Sequence, residues 1–326
     1  MDISAIVGKS ILLYNNGDYK GSYDILKKIL GKKLDSKTLS IIYYNMGLCK
    51  SAIFDWKSAL RCYRKSELNG GESQYEIFLC LMHLKKAEEA KGYWKFRCEG
   101  IRKSYPDLPI KRLKFGEEAD AILVLNEQGF GDEILFSRQI EFLSKKYKSV
   151  SYQVYEETLE FFKKYFKFQN VTFFTERSIS YEFVMNHDRF LLSGDFFFDL
   201  SDQSYLIEVQ QESRKWDIGL CWSANSKSKN TKERSIDPNL IRDKINDKKI
   251  VSLQHDQKLD FADYVEINNL LDTSELILKC DEIWTIDTVV AHLALSLGKK
   301  VKLLKKDYLD WRWKNDLYKG FEIIQI

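Results

Sequence analysis

The sequence predicts an α/β protein in which a pair of Rossmann-like domains follows an α-helical repeat domain. Three observations predict it. Apolar residues recur at helical spacing through residues 1–103, with no proline before Pro106. At Ser104-Tyr105-Pro106-Asp107-Leu108-Pro109 the pattern changes to short apolar runs alternating with helical segments. That alternation then occurs twice, which gives domains over 119–213 and 214–326 behind a linker at 104–118.

In the helical part, turns at Asn15-Asn16-Gly17-Asp18 and Asn69-Gly70-Gly71 separate the apolar stretches. A repeat is visible: Gly17-Asp18-Tyr19 with Ser22 and Leu26 recurs as Phe54-Asp55-Trp56 with Ala59 and Tyr63. A weaker third copy places Ala90 and Trp94 at the Ala59 and Tyr63 positions. The spacing, and Tyr44-Asn45-Met46-Gly47 through Ala59-Leu60-Arg61-Cys62-Tyr63, resemble tetratricopeptide repeats, although the usual closing proline is missing. Small residues let paired helices approach and aromatics fill the gap to the next pair.

In the first α/β domain Ala121-Ile122-Leu123-Val124-Leu125 reads as a buried parallel strand, followed by a helix over about Asp132 to Tyr147. Val150–Tyr155, Val171–Phe174 and Phe183-Val184-Met185 read as further strands. In the second, strands are expected at Trp216–Trp222, Lys249–Gln254, Glu282–Ile286 and Val301–Leu304.

No apolar run approaches the roughly 18 residues of a membrane span. Met1-Asp2-Ile3-Ser4 lacks a signal-peptide layout, so a cytoplasmic location is expected. The six cysteines are widely spaced, which argues against a disulfide framework or zinc site; no histidine pair has ligand spacing. Residues 1–117 hold 22 Lys/Arg and 13 Asp/Glu, leaving 29 and 35 for the rest, so a net charge of +9 precedes one of −6. A basic helical region suits an acidic partner or simply a solvated lysine-rich surface; nucleic-acid binding has no other support.

Three loops carry candidate chemistry. Gln128-Gly129-Phe130-Gly131-Asp132 follows the first strand; its glycines permit a tight turn and close approach of a ligand, and Asp132 stands near a helix N-terminus. The third glycine of a dinucleotide fingerprint is absent, and Asp132 equally suits helix capping. Trp222-Ser223-Ala224-Asn225, continuing through Lys229 to Arg234-Ser235-Ile236, offers hydroxyls and cations for a diphosphate; the plainer reading is a solvated loop. Asp287-Thr288-Val289-Val290-Ala291-His292 follows a buried strand and opens a helix whose amides could hold an anion. Its plainer reading is a cap plus a semi-buried histidine.

In their order along the chain, these loops resemble the glycosyltransferase-like domain of tetratricopeptide-repeat proteins. That domain is related to the heptosyltransferases (glycosyltransferase family 9) and to O-GlcNAc-transferase-like groups. Ser252-Leu253-Gln254, Asp272-Thr273, Asp310-Trp311-Arg312-Trp313 and Gly92-Tyr93-Trp94 extend the resemblance, most specific at Asp-Thr-x-x-Ala-His-Leu-Ala. Ala224, Ser226 and Phe130 depart from the family's usual glycine, proline and small aliphatic residue. The resemblance implies a GT-B-type pair of domains moving a sugar from a nucleotide-sugar co-substrate to an acceptor hydroxyl, with no other cofactor. It implies Asp132 as general base; Arg234, Lys229 and the Thr288, Val289 and Val290 segment on the donor phosphates; and Asp287, Gln254, Ser223, Asn225 and His292 toward the sugar or nucleoside. Gln128, Gly129 and Gly131 shape the turn. No Asp-x-Asp triplet occurs, so no metal is expected on the diphosphate. The acceptor, a glycan, a protein or another hydroxyl compound, would be recruited or oriented by the helical repeats, which could also hold a protein partner. The rival expectation is a repeat-containing binding scaffold without activity.

Overall fold

The computed structural model describes residues 2–98, 108–200, 207–209, 212–224, 234–245, 247–255 and 257–326. They form two compact units: Met1–Ser104 with Asp310–Asn315, and Tyr105–Leu309 with Asp316–Ile326.

The first unit is built from helices α1 (Ile3–Asn15), α2 (Tyr19–Ile29), α3 (Ser36–Ala52), α4 (Trp56–Leu68), α5 (Gln74–His83) and α6 (Ala87–Lys91). The sequence repeat has a backbone cause. Gly17, Phe54 and Lys85 occupy equivalent places, and all three have φ near +60 to +80 (82, 60 and 58°). The next residue begins a helix: Asp18 accepts from the Gly21 amide at 2.8 Å, and Asp55 from the Ser58 amide at 3.2 Å. At the third copy Lys86 has no oxygen to offer, and α6 starts without a side-chain cap. The equivalent Leu26, Tyr63 and Trp94 are all buried, as are Ser22, Ala59 and Ala90. Small residues are required here: a Cβ on Gly47 would lie 2.5 Å from the Tyr63 ring. Trp311, at 1% exposure, belongs to this core, edge-on to Phe78 (5.4 Å) and Trp94 (6.3 Å).

The second unit holds two parallel sheets, so the α/β class is as expected. The first is ordered β1 (Lys111–Arg112), β5 (Arg189–Leu192), β2 (Ala121–Leu125), β3 (Ser149–Gln153), β4 (Val171–Phe174). The second is ordered β10 (Phe321–Gln325), β9 (Lys300–Lys305), β8 (Cys280–Thr285), β6 (Trp216–Cys221), β7 (Ile250–Ser252). Every strand pairing is parallel. These are two Rossmann-like parallel sheets of five strands each. Residues 183–185, expected as a strand, are helical: Ser180 accepts from the Phe183 amide and starts a short helix, and the strand comes later, at Arg189–Leu192. The expected long helix after β2 is broken by a 3₁₀ turn at Ser137–Gln139 into α7 (Phe130–Phe136) and α8 (Ile140–Lys146). Lys111–Arg112, within the stretch read as linker, pairs with β5.

Strand order fixes where loops gather. From β2 the chain adds β3 and β4 on one side, then returns as β5 on the other. From β6 it adds β7 on one side and β8 on the other. Each sheet therefore has a switch point, at the carboxyl ends of β2 and β5 and of β6 and β8, where open α/β sheets bind ligands. Among the described residues no helix is long and apolar enough to cross a membrane.

Candidate active site

The turn after β2 sits at the first switch point. Its left-handed residue is Gln128 (φ 65°), not either glycine. Gly129 is the N-cap of α7 in extended conformation, so Asp132 lies inside the first helical turn rather than capping it. The turn is tied on several sides. The Asn126 amide donates to Gln153 Oε1 (3.0 Å), the Asn126 side chain to Glu133 Oε1 (2.8 Å), and the Gly194 amide to Glu127 Oε1 (2.7 Å).

The second switch point gathers residues far apart in sequence. Arg234 Nη1 donates to the Asp287 carbonyl at 3.0 Å and lies 3.9 Å from its carboxylate. Arg234 and Asp287 side chains are 19% and 16% exposed, so both remain within reach of a ligand. Gln254 bridges the loops: Oε1 accepts from the Ser223 amide (3.2 Å) and Nε2 donates to the Ser223 carbonyl (3.1 Å). Beneath them Cys221 Sγ contacts Gln254 Oε1 and Thr288 Oγ1, and burial pushes its thiol pKa up. Thr288 is the N-cap of α9 (Val289–Ser296) yet makes no side-chain capping bond. The start of that helix is thus not closed by its own cap. The Trp222 carbonyl accepts from the Ile236 amide, and Ser235 Oγ from the Ala224 amide, tying the end of β6 to Ser235-Ile236. Asn225 and Lys229 lie outside the described residues.

The two switch points are joined by helices α7 and α9. A Cβ on Gly131 would fall 2.7 Å from His292 Cδ2, so only glycine permits the approach. His292, 4% exposed, has its Nδ1 2.6 Å from Tyr318 Oη. Arg138 lies over the Tyr318 ring at 4.3 Å and donates to the Leu317 carbonyl at 2.6 Å. His292 is thus spent between helices in this arrangement. Sequence reasoning missed Arg138, Tyr318, Glu133 and Tyr155. Their partners lie from 7 to 179 residues away, and only the alternation ending in Tyr155 gave any local signal. A small cavity lined by Leu135, Phe136, Arg138, Gln139, Ser193 and Phe197 has room for a water, not a nucleotide. Among the described residues no cluster of three or more His, Cys, Asp or Glu is placed to hold a metal ion.

No family model and no curated protein matches this sequence. Solved structures resemble the chain at low sequence identity. The chain is similar to the iron-containing heptosyltransferase TibC of enterotoxigenic E. coli, solved with ADP-D-β-D-heptose, at 8% identity and TM-score 0.42. That match covers 59% of this chain and 59% of TibC, so this chain spans about three fifths of that protein. It is also similar to E. coli ADP-heptose LPS heptosyltransferase II, at 11% identity and TM-score 0.46, over 63% of this chain and 90% of that one. A Thermobaculum terrenum O-GlcNAc transferase mutant aligns over 96% of this chain and 84% of its own, at 10% identity and TM-score 0.31. All three of those proteins are glycosyltransferases.

Proposed function

We propose that this chain is a glycosyltransferase that moves a sugar from a nucleotide-sugar donor to an acceptor hydroxyl without a metal. The observation that carries the reading is the pairing of the two switch points. Asp132 follows β2 at one, Arg234 and Asp287 meet at the other, and Gly131 rests on His292 between the helices that lead from them. In this reading Asp132 accepts the acceptor hydroxyl's proton as that oxygen attacks the anomeric carbon. Arg234 and Lys229 neutralise the departing nucleoside diphosphate, and the amides of Thr288, Val289 and Val290 hold the same phosphates. Asp287 faces the donor sugar. Gln254, through its two bonds to Ser223, sets the loop that meets the nucleoside with Asn225. The helical repeats recruit or orient the acceptor.

The test is a donor panel, with ADP-heptose and UDP-, GDP-, ADP- and CMP-linked sugars, read by calorimetry and by nucleotide release with and without excess EDTA. Binding of at least one donor is expected, with release unaffected by EDTA. Asp132→Asn should keep donor affinity and lose about 10²–10⁴-fold in turnover, the usual weight of a general base. EDTA-sensitive turnover would remove the metal-free mechanism. No binding across the panel would leave the scaffold reading in its place.

A further inference from the structure

We propose that Tyr155 and Glu133 are positioning residues that hold the turn presenting Asp132. This deepens the transferase reading and rests on it for its kinetic consequence. The turn has a conformational problem. Gln128 adopts a left-handed backbone (φ 65°), which side-chain-bearing residues avoid, and does so four residues before Asp132. Such a conformation persists only where neighbours over-determine it.

Two side chains supply that restraint. The Tyr155 hydroxyl donates to the Gln128 carbonyl, the peptide oxygen of the strained residue itself. The Tyr155 ring stands edge-on to Phe130 at 4.8 Å, bracketing the turn from its far end. Glu133, with no solvent exposure, completes the frame. Its Oε1 accepts from the Asn126 side chain at 2.8 Å, where β2 ends, and from the Tyr155 amide at 2.9 Å, where β3 has just ended. One carboxyl oxygen thus fastens the two strand ends to the helix that carries Asp132. Burial raises the Tyr155 hydroxyl pKa to about 12, with the Glu133 and Asp132 charges adding to it, so the hydroxyl remains a donor. Glu133 has no access to a substrate and is excluded as a base itself; its effect passes through Asp132.

The turn's order can be read without any substrate. Tyr155→Phe keeps the ring on Phe130 and removes only the hydroxyl. Hydrogen exchange of the amides at 128–132 should speed up by about tenfold, the value of one lost hydrogen bond, while amides of β2 and β3 keep their protection. Using ADP-heptose, or whichever donor of the panel binds, turnover should fall about tenfold with KM within about twofold. Should Tyr155→Phe fail to fold, Glu133→Leu serves instead, since it fills similar space and removes the oxygen that accepts from Asn126 and the Tyr155 amide, so exchange at 128–132 should again speed up. Exchange at 128–132 unchanged in a folded variant would overturn the proposal. Faster exchange in a protein that binds no donor at all would leave the positioning role standing and sink the transferase reading.

Discussion

Glu133 shows how much a single buried carboxyl can control. Burial raises its pKa from 4.5 to about 7, and Thr158 and the Tyr155 amide pull it back only in part. The folded state therefore binds this proton more tightly than the unfolded chain does. Its contribution to stability is fully present below pH ~4.5 and is lost as pH rises through about 7, by roughly 3 kcal/mol in all. Glu133→Gln mimics the protonated acid, so its stability should not share that decline. Urea unfolding at several pH values between 4 and 8 checks this: the variant should gain on the wild type as pH rises. Parallel curves would show that Glu133 ionises without penalty.

At the scale of elements, the approach of α7 to α9 decides how the two halves of the α/β unit meet. Gly131 lies directly against His292, where an added Cβ would fall 2.7 Å from the ring. Gly131→Ala must displace a ring held by Tyr318, and such overpacking costs about 1–3 kcal/mol. In a His292→Ala background the obstruction is gone, and the same substitution should cost under about 0.5 kcal/mol, as for an ordinary site. A double-mutant cycle by urea unfolding measures the coupling; additive costs would mean the helices do not depend on this contact. Ala121–Leu125 announced itself in sequence because both faces of a buried parallel strand are apolar; Val171–Phe174, a half-exposed edge strand, stands where its β-branched and aromatic residues place it. Phe183–Met185 misled because three apolar residues fit a strand or a helix turn equally, and the Ser180 cap decided for helix. β10 was missed because it is an edge strand with exposed Glu322 and Ile323, without the apolar run of an interior strand. Gly131, His292 and Arg234 could be picked out individually by residue type. That Gly131 abuts His292, or that Tyr318 and Arg138 complete the contact, follows from pairings across 26 to 180 residues that leave no local pattern.

Across the whole molecule, two buried titrating groups set opposite responses to pH. In the helical unit His83 stacks on Trp56 at 3.8 Å, and its Nδ1 accepts from Lys314 Nζ at 3.1 Å. Burial lowers its pKa from 6.5 to about 4, Asp310 opposes this, and Lys314 and Arg312 add to it. Asp310 does not rescue the imidazolium because its carboxylate is committed elsewhere. Burial alone would raise its pKa, but Arg312, 2.8 Å away, more than offsets that and holds it at about 2. The unfolded chain therefore binds the His83 proton more readily. Its stabilisation is complete above pH ~6.5 and is lost as pH falls through about 4, again by roughly 3 kcal/mol. Acid should thus weaken the helical unit over the same range in which it strengthens the α/β unit through Glu133. A chain of two such units need not unfold in one step. Hydrogen exchange corrected for intrinsic rates, compared at pH 5 and pH 8, should show α4 and α5 losing protection at the lower value while β2 and β3 gain it. His83→Gln keeps an acceptor for Lys314 and cannot take up the proton, so it should remove the acid sensitivity of α5 alone. If α5 opens equally in that variant at pH 5, His83 is not the group that couples the helical unit to pH.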